Sequence, residues 1–129
     1  MKIGKVMIAG LLLAGMAGAA NAADGDAAAG EDVFKKCQAC HAIGEGAKNK
    51  VGPLLNGIIG RKSGTVEGFN YSDANKAAGE KGLVWTEAEL DKYLTDPRAF
   101  MPGNKMAFAG LKDEQDRKDV IAFLKKASK

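Results

Sequence analysis

Cys37-Gln38-Ala39-Cys40-His41 decides how the rest of the chain is read. Two thiols three positions apart on one helical turn can each form a thioether to a vinyl group of a single haem, and the adjacent imidazole then falls over the iron. One turn thereby holds both the macrocycle and an axial position, so Cys37, Cys40 and His41 are assigned to covalent haem c, with His41 as a metal ligand. Other uses of the pair ask for features the chain lacks. A structural zinc site takes four ligands, usually Cys and His, and the sequence holds two Cys and one His. A thioredoxin-like redox pair belongs in a βαβ unit, and strand patterning is nearly absent. A disulfide enclosing two residues would restrain little of the unfolded chain.

Working outward towards the N-terminus, Asp24 or Asp26 caps a predicted helix through Ala27 to Ala39, with Val33 and Phe34 facing inward. Ahead of it, Lys2 and Lys5 precede an uncharged apolar run from Val6 to Ala20 and the small-residue site Ala20-Asn21-Ala22. These are the three parts of a secretory signal peptide. A membrane anchor needs about 20 apolar residues to span the bilayer, and this run is shorter and rich in Gly and Ala. Residues 1–22 are expected to be cleaved, leaving 23–129 as one domain in the periplasm with no stable membrane insertion. Export suits the motif, because haem is attached outside the cytoplasm.

The 129 residues are 46% hydrophobic and 27% charged, as in an ordinary globular protein. The expected leader carries two of the 19 basic residues and none of the 16 acidic ones, so the mature chain has a net charge of +1 rather than +3. That balance excludes nucleic acid as a partner held by a strongly basic face.

Towards the C-terminus, seven Gly and Pro53 between Ile43 and Gly68 mark a loop layer. Ser72 caps a short helix through Ala78. Thr86 with Glu89 forms a capping box opening a helix with Leu90, Tyr93 and Leu94, which Pro97 stops. Asp113 opens a last helix with Val120, Ile121, Phe123 and Leu124 as its apolar stripe, ending in Lys125, Lys126 and Lys129, which suit the helix dipole. The fold class is therefore all-α, three to five helices and Gly-rich loops wrapped around one covalent haem. After Ala22 the chain has two methionines, so a thioether ligand would be Met101 or Met106, and the residues alone leave the choice open.

Beyond the haem motif, the chain resembles the soluble class I cytochromes c, mitochondrial and bacterial c2 types alike. The resemblance runs from Gly30 to Lys129 through Val51-Gly52-Pro53, Gly60-Arg61-Lys62-Ser63-Gly64, Gly68-Phe69-Asn70-Tyr71-Ser72-Asp73-Ala74-Asn75, Gly82-Leu83-Val84-Trp85, Pro102-Gly103-Asn104-Lys105-Met106 and Asp119-Val120-Ile121-Ala122-Phe123-Leu124-Lys125-Lys126. It implies the class I cytochrome c fold and Met106 as second axial ligand. It also implies that Pro53 accepts the Nδ1 proton of His41, and that Arg61, Tyr71 and Trp85 bond the buried propionates. Tyr93 and Asn75 resemble the family's polar pair beside the methionine and an internal water. Gly30 resembles a small residue where the first and last helices cross against Phe123. Asn104 replaces the Thr of mitochondrial relatives, so hydrogen bonding beside the methionine should be rearranged. Lys105 is the expected alkaline competitor of Met106, and Lys105→Ala should suppress that exchange. A short insertion falls in Ala77 to Lys81, and one residue is missing between Phe34 and Cys37.

With both axial positions filled by protein, the resemblance implies an electron carrier and not an enzyme, a monomer exchanging single electrons. Its implied partners are membrane redox complexes: a quinol-oxidising cytochrome bc complex and a terminal oxidase or photosynthetic reaction centre. Lys36, Lys48, Lys50, Lys62, Arg98, Lys105 and Lys112 should ring the haem edge, with Asp24, Asp26, Glu31, Asp32, Asp116 and Asp119 elsewhere, steering the molecule to acidic patches. The rival functions are a haem protein with an open sixth position, acting as peroxidase or gas binder, and a colourless dithiol oxidoreductase.

Overall fold

Asp26 starts the first helix, α1 (Ala27–Phe34), its side chain accepting from the N–H groups of Ala28 and Ala29. The computed structural model describes Gly10 and residues 25–127. The expected leader other than Gly10, the alternative cap Asp24 and Lys129 lie outside the described residues. The helix ends earlier than the predicted Ala39. Lys35, Lys36 and Cys37 donate to Asp32, Val33 and Phe34 respectively, at 3.3, 3.1 and 2.7 Å. These i→i−3 bonds tighten the winding, and the Cys pair sits in the turns that follow.

The second helix, α2 (Asp73–Glu80), is capped by Ser72, whose hydroxyl accepts from Asn75 N–H at 3.1 Å. It runs two residues past the predicted Ala78. Thr86 caps α3 (Glu87–Thr95) by accepting from Glu89 N–H at 3.2 Å. The reciprocal half of the box is not made: Thr86 N–H donates to Val84 C=O, and the Glu89 carboxylate faces Lys92. Pro97 ends α3 and also opens α4 (Pro97–Phe100), which the sequence reading did not contain. With its φ preset and no N–H to satisfy, Pro suits the first helical position, and Asp96 caps it through Ala99 N–H at 3.2 Å. Asp113 caps α5 (Glu114–Ala127) through Asp116 N–H at 2.9 Å.

α1 crosses α5 closely at Gly30, where a Cβ would overlap Asp119 C=O and stand 2.8 Å from Phe123 Cβ. The rings of Phe34 and Phe123 pack 5.1 Å apart beside it. Buried Asp119 accepts from Asp26 N–H and Gln115 Nε2, each at 2.8 Å, tying the entry of α1 to α5. Arg117 joins α5 to α3 through Asp91 at 2.8 Å and donates to the Leu111 and Lys112 carbonyls. Among the described residues the only β pairing is the isolated bridge between Lys62 and Val84. It brings the loop layer against Trp85, whose N–H donates to Arg61 C=O through the main chain at 2.8 Å. Phe34, Ile58, Trp85, Leu90, Leu111, Val120 and Leu124 form a shared core around a central cavity.

Candidate cofactor site

The cavity, about 260 Å³, is lined by Cys37, Cys40, His41, Pro53, Arg61, Tyr71, Asn75, Trp85, Tyr93 and Met106. All ten residues singled out from the sequence therefore meet in one place, although they come from the turn after α1, the loop layer, α2, α3 and the segment after α4. Leu55, Ile58 and Phe108 add apolar wall that sequence reasoning missed. They sit in loops, where no helical or strand period marks an inward face.

His41 is held from two sides. Its Nδ1 stands 2.7 Å from Pro53 C=O, which can only accept, so Nδ1 carries the proton and Nε2 is left bare for a metal. Gly52 packs beneath the ring, and a Cβ there would come within 2.8 Å of both ring nitrogens. Burial lowers the His41 pKa, and the positive charges of Arg61 and Lys50 lower it further, against the opposing effect of the Pro53 bond. Burial likewise raises the Cys37 thiol. Both Cys37 and Cys40 are free thiols.

Met106 and Met101 part company. Met106 lines the cavity with its Sδ 3.7 Å from the Tyr93 hydroxyl, whereas Met101 is buried in the core. Burial pushes the Tyr93 phenol up to about 12, so its hydroxyl keeps its proton. Asn75 lines the same cavity, its Oδ1 accepting from the buried Ser63 hydroxyl at 2.6 Å. Ser63 was not singled out as a site residue, since a buried serine behind an asparagine leaves no mark in the sequence. Asn104 turns wholly to protein. Its Nδ2 donates to Pro97 and Met101 C=O at 3.0 and 2.8 Å, and its Oδ1 accepts from Met106 N–H at 2.8 Å.

One wall offers unused donors. Arg61 donates to Asn56 C=O but meets no carboxylate among the described residues. The Tyr71 hydroxyl accepts from Val66 N–H at 3.0 Å, and its own proton has no acceptor there. The Trp85 indole N–H likewise has none, though Trp85 is 5% exposed. Among the described residues no buried side-chain N or O atom lacks a partner, so these spare donors open onto the cavity, where they suit an anionic group such as a haem carboxylate. Two thiols, an imidazole with a bare Nε2, a thioether and an apolar wall complete a donor set that fits haem c. Among the described residues no cluster of three or more His, Cys, Asp or Glu could hold a separate metal ion.

The seven cations expected around the haem edge are all exposed, and Lys36 and Lys105 reach the cavity lining. Lys50 and Lys112 bond to the carbonyls of Gln38 and Thr95 at 2.6 and 2.8 Å, so their ammonium groups are held in place. Val51, 79% exposed, also lines the cavity. Among the described residues no helix is long and apolar enough to cross a membrane.

The family model for cytochrome c matches residues 27–128. Among relatives, a cytochrome c2 of Blastochloris viridis is 60% identical over 109 residues, 84% of each chain. A cytochrome c-550 of Ancylobacter novellus is 61% identical over 98 residues, 76% of this chain and 92% of that one. A solved cytochrome c2 from Rhodospirillum Centenum superposes with a TM-score of 0.78 at 51% identity, over 81% of this chain and all of that one. A cavity with two thiols one turn apart, a tautomer-locked histidine and a matched family model place the chain in the cytochrome c family, electron carriers that hold covalent haem c and are not enzymes.

Proposed function

We propose that this protein is a soluble periplasmic carrier that shuttles single electrons between a quinol-oxidising cytochrome bc complex and a terminal oxidase or photosynthetic reaction centre. The observation that carries the reading is the cavity in which Cys37, Cys40, His41 and Met106 converge with His41 Nδ1 bonded to Pro53.

Haem c bound here supplies one-electron exchange between ferric and ferrous iron. Cys37 and Cys40 would hold it covalently, and His41 and Met106 would both ligate its iron, which would leave no open site for a substrate. A thioether ligand and a dry apolar pocket favour the reduced form and raise the potential. Pro53 orients His41 and strengthens its donation. Arg61, Tyr71 and Trp85 would bond the propionates, Tyr93 restrains the Met106 sulfur, and Asn75, fixed by Ser63, adds a polar group to the cavity wall. Lys36, Lys48, Lys50, Lys62, Arg98, Lys105 and Lys112 give the open edge a positive face complementary to acidic docking patches on membrane complexes. Removal of residues 1–22 belongs to the same reading, as the step that releases the carrier.

The test is an absorption spectrum of the protein purified from cells competent in haem attachment, oxidised and reduced, with carbon monoxide added to the reduced form. Sharp low-spin bands that carbon monoxide leaves alone support His41 and Met106 as ligands. A shift on adding the gas means an open sixth position and overturns the carrier reading, and absence of haem bands returns the Cys pair to dithiol chemistry.

A further inference from the structure

The segment that carries Met106 has little main-chain bonding of its own. Between Lys105 and Gly110, among the described residues, the one hydrogen bond donated by a backbone N–H runs from Met106 to Asn104 Oδ1. The next main-chain anchor is Leu111 N–H on Leu94 C=O at 2.7 Å. On its other side the Asn104 amide spends both hydrogens, one on Pro97 C=O at the start of α4 and one on Met101 C=O at its end. The carboxamide orientation is thus determined. A flip would set its oxygen against two carbonyls and its N–H₂ against the Met106 N–H.

We propose that Asn104 is the positioning residue that clamps the Met106 segment to α4, holding the thioether in the cavity without touching the cofactor. The inference rests on Met106 being the sixth ligand. A side chain with one hydroxyl can make at most part of this bridge, and alanine none of it. Loss of the clamp raises the population of the form in which Met106 has left the cavity, and a competing ligand binds in proportion to that population.

The experiment is equilibrium titration of the ferric holoprotein with imidazole, followed by absorption, because imidazole binds only where Met106 has departed. Relative to wild type, Asn104→Ala should bind imidazole roughly tenfold more tightly, equivalent to about 1.4 kcal/mol. Asn104→Thr should fall between the two, and serves on its own if the alanine variant does not fold. Asp113→Ala, which removes the cap of α5, should lower stability and leave imidazole affinity unchanged. Equal affinities for wild type and the Asn104 variants overturn the clamp while Met106 ligation stands. A comparable gain in Asp113→Ala overturns it too, by assigning the effect to general destabilisation. Wild-type protein that already binds imidazole or carbon monoxide as an open site removes Met106 ligation and the clamp with it.

Discussion

Replacing Gly30 by Ala sets two effects of opposite sign against each other. Gly30 lies inside α1 without a positive φ, so alanine fits its backbone and should stabilise an isolated helix by about 1 kcal/mol. In the folded protein the new methyl would overlap the Asp119 carbonyl and stand 2.8 Å from Phe123 Cβ. Neither atom is the free end of a flexible side chain, so α1 must move off α5 as a body. Overpacking of this kind costs about 1–3 kcal/mol, and the shift also stretches the Asp26 N–H bond to Asp119. With a backbone carbonyl as the obstacle the cost falls in the upper part of that range, about 2–3 kcal/mol, so the steric effect wins with a net loss of about 1–2 kcal/mol after the helix gain. For a domain of this size that is a fall in Tm of roughly 5–15 °C, read by far-ultraviolet circular dichroism on the holoprotein. A Tm that rises by a few degrees would refute the close crossing, because helix propensity would then be the only effect left.

Three further outcomes are expected. Gly52→Ala pushes the His41 ring off Pro53; it should move the imidazole Nδ1 proton resonance and the reduction potential of the holoprotein, and unchanged values would mean the ring is not wedged there. Arg117→Ala strips the Leu111 and Lys112 carbonyls of their donor along with the Asp91 pair, and should lower stability to urea by about 2 kcal/mol. Asp91→Asn, whose side chain is 43% exposed, should cost under about 1 kcal/mol, and equal losses would contradict this division. Electron exchange with an acidic redox partner should slow roughly tenfold or more between low and high salt, since screening shortens the reach of the positive edge. Rates indifferent to ionic strength would reduce those lysines to a solubilising surface.

Much was readable because it is local. Cys37, Cys40 and His41 sit within five residues, and their meaning is covalent chemistry at that spacing. The caps at Ser72, Thr86 and Asp113 read correctly because a hydroxyl or carboxylate meets an N–H three residues on, whatever the rest of the chain does. The Glu89 half of the capping box failed at the same range, where Val84 C=O took the Thr86 N–H and Lys92 took the carboxylate. The end of α1 was misjudged because a helical pattern cannot distinguish i→i−4 from the tighter i→i−3 bonds of residues 35–37. Pro97 was read as a stop, and the same fixed φ made it a start as well.

By itself, the sequence determined the cofactor chemistry, the all-α class and the identity of ten of the residues that line the cavity, several of them through family resemblance. Tertiary structure alone decided that the Met106 sulfur sits beside the Tyr93 hydroxyl while Met101 is buried, that a Cβ at Gly30 would meet the Asp119 carbonyl, that Asn75 accepts from Ser63, and that Asn104 bridges α4 to Met106. A cap or a thioether pair depends on neighbours a turn away. Which side of a glycine is crowded, or where an amide finds its acceptors, depends on segments that only the packed core brings together.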